Sequence, residues 1–156
     1  MDDYKTAMAV MTEMFSKDCT FALATVSVSK PAVRVVDTYY EDGAFYVVTY
    51  GSSAKAKELQ ANENAALCSQ LYRFTGIARI IGHPLVPENA AIREKLTRAF
   101  APWYFRHNDE ADTAMCYVKI DLQTGFFYKE GTGYKVDFAA HTAETFPFTF
   151  DAVMPE

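Results

Sequence analysis

Hydrophobic and polar residues alternate along the first part of the chain in the way that half-buried β-strands require. Residues 20–28 (TFALATVSV) alternate apolar with small or polar side chains, and residues 32–40 (AVRVVDTYY) follow after a short turn. A turn at residues 41–43 (EDG) leads into an apolar third strand at residues 44–48. Because short turns and no crossover helix join these strands, the pattern predicts antiparallel pairing.

Further along, helical and strand patterns alternate. Apolar residues and helix formers at helical spacing predict helices over residues 4–17 and 53–62, and a third that begins at Pro87. Five more strands are expected, at residues 65–72, 74–82, 115–122, 126–128 and 134–138. Gly76 suggests a bulge, and a loop is expected over residues 101–110.

These elements predict the fold class. Turn signals every eight to twelve residues favour a mainly β protein, a six- to seven-stranded antiparallel barrel with flanking helices. One domain is expected over residues 1–156, with an N-terminal helix in residues 1–18 and a tail at 139–156. In that tail the aromatic segment 146–150 is expected to form an edge strand or a strap across a dimer.

Composition narrows the classes of function. Half of the 156 residues are hydrophobic and 22% are charged, as in a globular domain. The net charge of -5 argues against a nucleic-acid partner, and no apolar run is long enough for a membrane span. Cys19, Cys68 and Cys116 form no C-x-x-C pair and are expected to be reduced core thiols, which predicts a cytoplasmic protein.

A cluster of hydroxyls and one lysine lies between the third strand and the next helix. The segment TYGSSAK places Thr49, Ser52, Ser53 and Lys55 at a helix N-terminus. Free N–H groups and the positive end of the helix dipole point there, so the segment suits a phosphate. The alternative is a capped, solvated helix start, because Ser is a favoured N-cap and Lys is common on surfaces.

The order of these features resembles the pyridoxamine 5′-phosphate oxidase-like family of FMN-binding split barrels, from about residue 21 to 138. The shared features are an arginine-bearing second strand (Arg34), then Ser53 and Lys55 four and six residues beyond Thr49. A K-E-L helix and an N-x-x-x-x-L strand follow, and Gly82 closes the fifth strand.

The resemblance implies a cofactor and its site. FMN would lie between the two barrels of a homodimer, and each subunit would complete the other's site, with Trp103 a candidate for this role. Lys55 and Ser53 would bind the phosphate with help from Ser52 and Thr49. The isoalloxazine ring would rest on the second strand, largely on its backbone groups, at Arg34, Val35 and Val36.

Departures from the family pattern change the expected reaction. Tyr39 stands near the place of a substrate-binding lysine, and Ala54 stands where an arginine precedes the phosphate lysine. The tail 139–156 contains no arginine or tryptophan. The sequence therefore favours a flavin-dependent oxidoreductase of unknown substrate that is not a true pyridoxamine phosphate oxidase. The alternatives are a non-catalytic flavin, heme or deazaflavin sensor and a ligandless interaction domain.

Several other residues allow two interpretations. Arg34 could face solvent on the outer side of its strand, or stabilise negative charge on a reduced flavin. Trp103, Tyr104 and Phe105 fit a core or a dimer interface, or a wall of the flavin pocket. Residues 107–112 (HNDEAD) are expected to form a solvated acidic loop, and no metal site, catalytic acid or base, or hydrolase motif is predicted.

Overall fold

The computed structural model describes residues 2–149. Eight strands and four helices follow one another along the chain, with a 3₁₀ turn at Pro87–Asn89. The helices are α1 (Asp3–Phe15), α2 (Ala54–Ala61), α3 (Ala90–Ala99) and α4 (Tyr104–His107). The strands are β1 (Cys19–Ser27), β2 (Lys30–Glu41), β3 (Ala44–Tyr50), β4 (Asn64–Ser69), β5 (Tyr72–Gly82), β6 (Met115–Lys129), β7 (Thr132–Asp137) and β8 (Thr142–Pro147).

Six of the strands close into an antiparallel barrel. Its order is β3-β2-β1-β4-β5-β6, and pairing of β3 with β6 joins the two ends. The second half of β6 leaves the barrel and carries β7 and β8 as an extension of the sheet. The mainly β barrel with flanking helices that the sequence predicts is thereby confirmed.

The barrel is open along one seam. Strands β2 and β3 pair at only three positions, between residues 39–41 and residues 44–46. Beyond these pairs, β2 continues along β1 while β3 continues along β6 to Tyr50. We call this opening between residues 30–38 of β2 and residues 47–50 of β3 the split.

Aromatic side chains fill the barrel. Phe21, Phe45, Phe74 and Phe127 pack with ring centroids about 5 to 6 Å apart, and Phe15 of α1 contacts all four rings. Each of these rings is almost completely buried. A second cluster lies outside the barrel, where α3 and α4 cover β3 and β6 with Leu96, Phe100, Tyr104, Tyr46, Met115 and Tyr117. The core thus forms from β-strand aromatics, with α1 completing it.

Two strand boundaries differ from the sequence prediction. The β4–β5 turn falls at Gln70, which adopts φ 53° without a glycine or proline to mark it. Strand β6 runs unbroken through Thr124 and Gly125, where a break was expected. Gly125 belongs inside the strand because a Cβ there would come within 2.6 Å of the Phe74 ring. This glycine therefore allows a close approach and does not mark a turn.

Other differences are smaller. A short helix, α4, lies inside the segment 101–110 that was expected to be a loop. Cys68 is exposed, and Cys116 alone among the three cysteines is fully buried. Gly76 does lie at an irregularity of the β5–β6 register. Of the segment 146–150, expected to form an edge strand or a dimer strap, residues 146 and 147 belong to β8, the last strand in the sheet order. Phe150 of the aromatic tail lies outside the described residues.

No helix within residues 2–149 has the length and apolar character needed to cross a membrane.

Replacing Phe74 by Ala should destabilise the barrel strongly. Phe74 is 2% exposed and contacts four other buried rings, so the substitution leaves a large cavity. We expect a loss of about 3–5 kcal/mol in the free energy of unfolding, measured by urea titration. Leu85→Ala, at a side chain that is 58% exposed, is the control and should change it by less than about 0.5 kcal/mol. Equal losses for both variants would contradict this account of the core.

Candidate functional site

The loop after β3 is a tight turn that begins α2. The Gly51 amide donates to the Ala114 carbonyl (2.7 Å), and the Ser53 amide donates to the Tyr50 carbonyl (2.9 Å). Ser53 is the N-cap of α2, and its Oγ accepts a hydrogen bond from the Ala56 amide (3.2 Å). The N-terminus of α2 is therefore capped by a serine side chain, and the first turn of α2 directly follows the loop that carries the hydroxyls.

Lys55 folds back over this loop onto a hydroxyl pair. Its Nζ donates to Thr49 Oγ1 at 2.9 Å, and Thr49 Oγ1 lies 3.1 Å from Ser53 Oγ. Thr49 is buried and Lys55 is half-buried, whereas Ser52 is exposed at the rim. The structure thus brings together Thr49, Ser53 and Lys55, as the sequence predicts, and places Ser52 at their edge.

The charge of Lys55 has no carboxylate partner. Within residues 2–149, no ion pair involves Lys55, and its one hydrogen-bond acceptor is the neutral hydroxyl of Thr49. Burial, together with the nearby charge of Arg34, lowers the pKa of the Lys55 ammonium below its usual value. An ammonium has three N–H donors, so this side chain can still bind an anion. Such an anion would also offset the free-energy cost of holding the Lys55 ammonium half-buried near Arg34.

Arg34 reaches the same region from β2, but it carries its own counter-ion. Its Nη2 lies 2.9 Å from Glu58 Oε2, and its Nη1 donates to Thr25 Oγ1 at 2.6 Å. Arg34 is paired across the ladder with Leu23, which is fully buried, so it belongs to the inner face of the barrel. The interpretation in which Arg34 faces solvent on the outer side of the strand is therefore wrong.

The split exposes the backbone of β2 beside this loop. Over residues 30–38, β2 pairs with β1 on one edge, and no described strand covers the other edge. Along a strand, successive residues direct their N–H and C=O groups to opposite edges, so about every second residue offers a free donor and acceptor to the split. If the β2–β3 register continued, Thr49 would face Val36 and Gly51 would face Arg34. Strand β2 and the Lys55 loop therefore border one opening.

The side chains beside this opening differ in exposure. Val35 is 70% exposed on the outer face of β2, whereas Val36 is 7% exposed and belongs to the core. Any role of Val36 toward a ligand in the split would therefore use its backbone groups.

Trp103 packs against the second cluster. Its indole Nε1–H donates to Asp18 Oδ2 at 2.8 Å, and its ring stacks on Phe100 with centroids 4.6 Å apart. No contact described for Trp103 within one chain joins it to the Thr49–Lys55 loop. A single chain therefore shows Trp103 as part of the second cluster.

A buried network of hydrogen bonds holds the neighbouring Tyr104. Its hydroxyl lies 2.5 Å from the Tyr117 hydroxyl and donates to Glu110 (3.1 Å), which accepts two hydrogen bonds from Arg93. Burial first, and then the hydrogen bond with Tyr117, raise the pKa of Tyr104. Tyr104 thus joins α4 to α3 and β6, which supports the core interpretation of this residue, while Phe105 is exposed.

Two further residues, Thr25 and Glu58, belong to this region and were not predicted from the sequence. The Thr25 hydroxyl donates to Glu58 Oε2 at 2.5 Å and is itself buried. Glu58 lies three residues after Lys55, so helical periodicity alone would have placed both side chains on the same face of α2.

A large cavity lies away from Lys55. It has a volume of about 1150 Å³ and runs over the outer face of β1 and β4–β8, with Val33 at its edge. Its lining includes the small side chains of Ala22, Ala24 and Ala66 and the rings of Phe126, Phe146 and Phe148, together with charged side chains such as Arg73 and Glu144. At the Lys55 loop itself, Ser52 is exposed, whereas Ser53 and Lys55 are half-buried.

No family model and no curated protein matches the sequence, but solved structures share its fold. General stress protein 26 from Bacillus anthracis is 19% identical, with 91% of this chain and 98% of that chain covered and a TM-score of 0.61. A heme binding protein from Mycobacterium smegmatis is 18% identical over 90% of this chain and 58% of its own, with a TM-score of 0.61. A FAD-binding protein from Mesorhizobium loti is 14% identical over 75% and 90%, with a TM-score of 0.56.

These neighbours establish the architecture. The chain has the split-barrel fold of the pyridoxamine 5′-phosphate oxidase-like proteins, as the sequence resemblance implied. Similarity at this level of identity shows the fold alone, so the ligand must be argued from the residues of this chain.

Removing the charge of Lys55 should not destabilise the ligand-free protein. Because the folded state lowers the pKa of Lys55, its ammonium opposes folding below the folded pKa, and this cost disappears above the pKa of the unfolded chain. At pH 7 we expect Lys55→Met to melt at the same temperature as wild type or up to about 3 °C higher, by calorimetry. Lys57→Met, at an exposed lysine of the same helix, should leave the Tm unchanged. A clear fall in Tm for Lys55→Met alone would make Lys55 a structural cation.

Proposed function

We propose that this protein binds FMN in the split of the barrel and acts as a flavin-dependent oxidoreductase. The observation that carries the proposal is a half-buried lysine that forms no ion pair within residues 2–149 and is held over two hydroxyls at the start of a helix. A phosphate of charge near -2 requires hydroxyl donors, backbone N–H groups and a cation, and this loop offers all three. The phosphate would bind to Thr49, Ser53 and Lys55, with Ser52 at the rim.

The free edge of β2 suits the other end of the cofactor. The pyrimidine portion of a flavin carries N–H and C=O groups in one plane, and the unpaired backbone groups near Arg34, Val35 and Val36 can satisfy them. The exposed side chain of Val35 gives a flat apolar surface beside that edge. FMN supplies the redox chemistry when it is bound, and the protein supplies the phosphate site and the orientation of the ring.

Two features favour flavin over heme, although one structural neighbour is a heme binding protein. His83 uses both ring nitrogens, because Nε2 donates to the Asp112 carbonyl (3.1 Å) and Nδ1 accepts from the Leu85 amide (3.1 Å). His141 stacks on Tyr4 beside α1. In their described hydrogen bonds and ring contacts, neither of these two imidazoles meets the Lys55 loop, whereas that loop has the groups a phosphate needs.

We infer that two copies of the chain form the complete site. Ser52 is exposed at the rim of the Lys55 loop, and the outer face of β2 exposes Val33 (69%) and Val35 (70%). Val33 also lines the 1150 Å³ groove, and the aromatic side chains in that lining are a feature of interfaces. A second copy on this face would cover the flavin and would bring its own residues to the site, with Trp103 a candidate among them.

Lys55→Ala should weaken FMN binding by about 10-fold or more, because a charge-assisted contact contributes about 1.5–3 kcal/mol. Affinity for riboflavin, which lacks the phosphate, should change by less than about twofold. Both can be measured by quenching of flavin fluorescence. Lys57→Ala is the matched control and should bind both flavins like wild type. Unchanged FMN affinity in Lys55→Ala would remove Lys55 from the site.

Val33→Asp should convert the proposed dimer to a monomer without unfolding the chain. The side chain is 69% exposed in one chain, so an aspartate there remains solvated until a partner covers it. Light scattering should give twice the 17.5 kDa chain mass for wild type and the single mass for the variant. Val28→Asp, in a turn where the side chain is 96% exposed, should stay dimeric. A wild-type monomer at micromolar concentration would contradict the proposal.

A further inference from the structure

The two cations near the candidate phosphate site differ in their partners. Lys55 donates to a hydroxyl, whereas the guanidinium of Arg34 is held by the carboxylate of Glu58 at 2.9 Å. Thr25 completes a closed triangle, since it accepts from Arg34 (2.6 Å) and donates to Glu58 (2.5 Å). The charge of Arg34 is therefore paired within the chain, and Lys55, Arg34 and Glu58 together carry one net positive charge.

Glu58 is held firmly in this position. Its side chain is 15% exposed and that of Arg34 is 24% exposed, so the pair is largely shielded from water. The hydrogen bonds from Thr25 and Arg34 lower the pKa of the Glu58 carboxyl below its usual value, which keeps it ionised at neutral pH. The carboxylate also lies on the same helix face as Lys55, three residues along α2. An anion bound by Lys55 would therefore lie on the helix face that carries Glu58.

We propose that Glu58 is a specificity-determining residue that limits how strongly the site prefers a phosphorylated flavin to an unphosphorylated one. This inference rests on the proposed FMN site. The carboxylate acts in two ways: it withholds the Arg34 guanidinium from the phosphate, and it repels the phosphate charge directly. An uncharged flavin tail would experience neither effect, so the ratio of riboflavin Kd to FMN Kd measures the role of Glu58.

The test is a comparison of Glu58→Gln with wild type, using FMN and riboflavin as probes. Glutamine keeps the size of the side chain and can still accept from Thr25 and Arg34, so the fold should be preserved. We expect FMN to bind about 5- to 10-fold more tightly and riboflavin to change by less than about twofold, because only the phosphate senses the lost charge. Glu63→Gln removes the same charge from an exposed carboxylate paired with Arg79 and should leave the ratio unchanged.

A second pair of variants separates the charge effect from a direct contact. Arg34→Gln leaves Glu58 without its partner and should weaken FMN binding by about 10-fold or more. The double variant, Arg34→Gln with Glu58→Gln, removes a neutral pair and should return FMN affinity to within about threefold of wild type. If the double variant binds FMN as weakly as Arg34→Gln, Arg34 contacts the phosphate itself and the inference is overturned.

The remaining outcomes are equally distinct. An unchanged Kd ratio in Glu58→Gln, or equal weakening of both flavins, overturns the inference and leaves Glu58 a structural residue. A wild-type protein that binds neither flavin contradicts the proposed function, and the inference falls with it. A wild-type protein that prefers FMN, combined with an unaltered ratio in Glu58→Gln, preserves the proposed function and rejects only the role of Glu58.

Discussion

The structure depends on the early end of pairing between β2 and β3. After three residue pairs, β1 holds β2 and β6 holds β3, so the two strands diverge and leave the split. The aromatic core and α1 keep the barrel closed elsewhere, which allows the seam to remain open. The uncovered backbone of β2 and the loop that starts α2 then border the same opening. A fully paired barrel would satisfy these backbone groups internally and would have no such site.

The electrostatics of this opening depend on two cations, Arg34 and Lys55, which differ in their partners. Glu58 is paired with Arg34, whereas the half-buried Lys55 donates to the Thr49 hydroxyl and forms no ion pair within residues 2–149. An unpaired, partly buried ammonium is unfavourable in the folded chain, and such arrangements are typical of binding sites, where a ligand supplies the missing charge. The internal Arg34–Glu58 pair keeps the total charge low, so that the ligand-free protein does not carry two uncompensated cations side by side.

Much of the fold and part of the candidate site could be predicted from the sequence, because local sequence patterns determine them. Strict alternation gave the first strands, and the spacing of Thr49, Ser53 and Lys55 brought three of the predicted site residues together. Predictions were wrong where tertiary contacts decide: Gly125 looks like a turn residue but lies in β6 because the Phe74 ring packs against it. The partner of Arg34 was also missed, because pairing between β2 and α2 depends on how the barrel folds.

The central claim is that this barrel holds FMN through the phosphate site at Lys55. The most direct test is the visible absorption spectrum of the purified protein after incubation with FMN and desalting. The account predicts that oxidised-flavin bands remain with the protein, and that the same treatment with riboflavin leaves much weaker bands. A protein that loses all flavin on desalting would contradict the claim, and a heme-type band in the protein as purified would assign the split to a different cofactor.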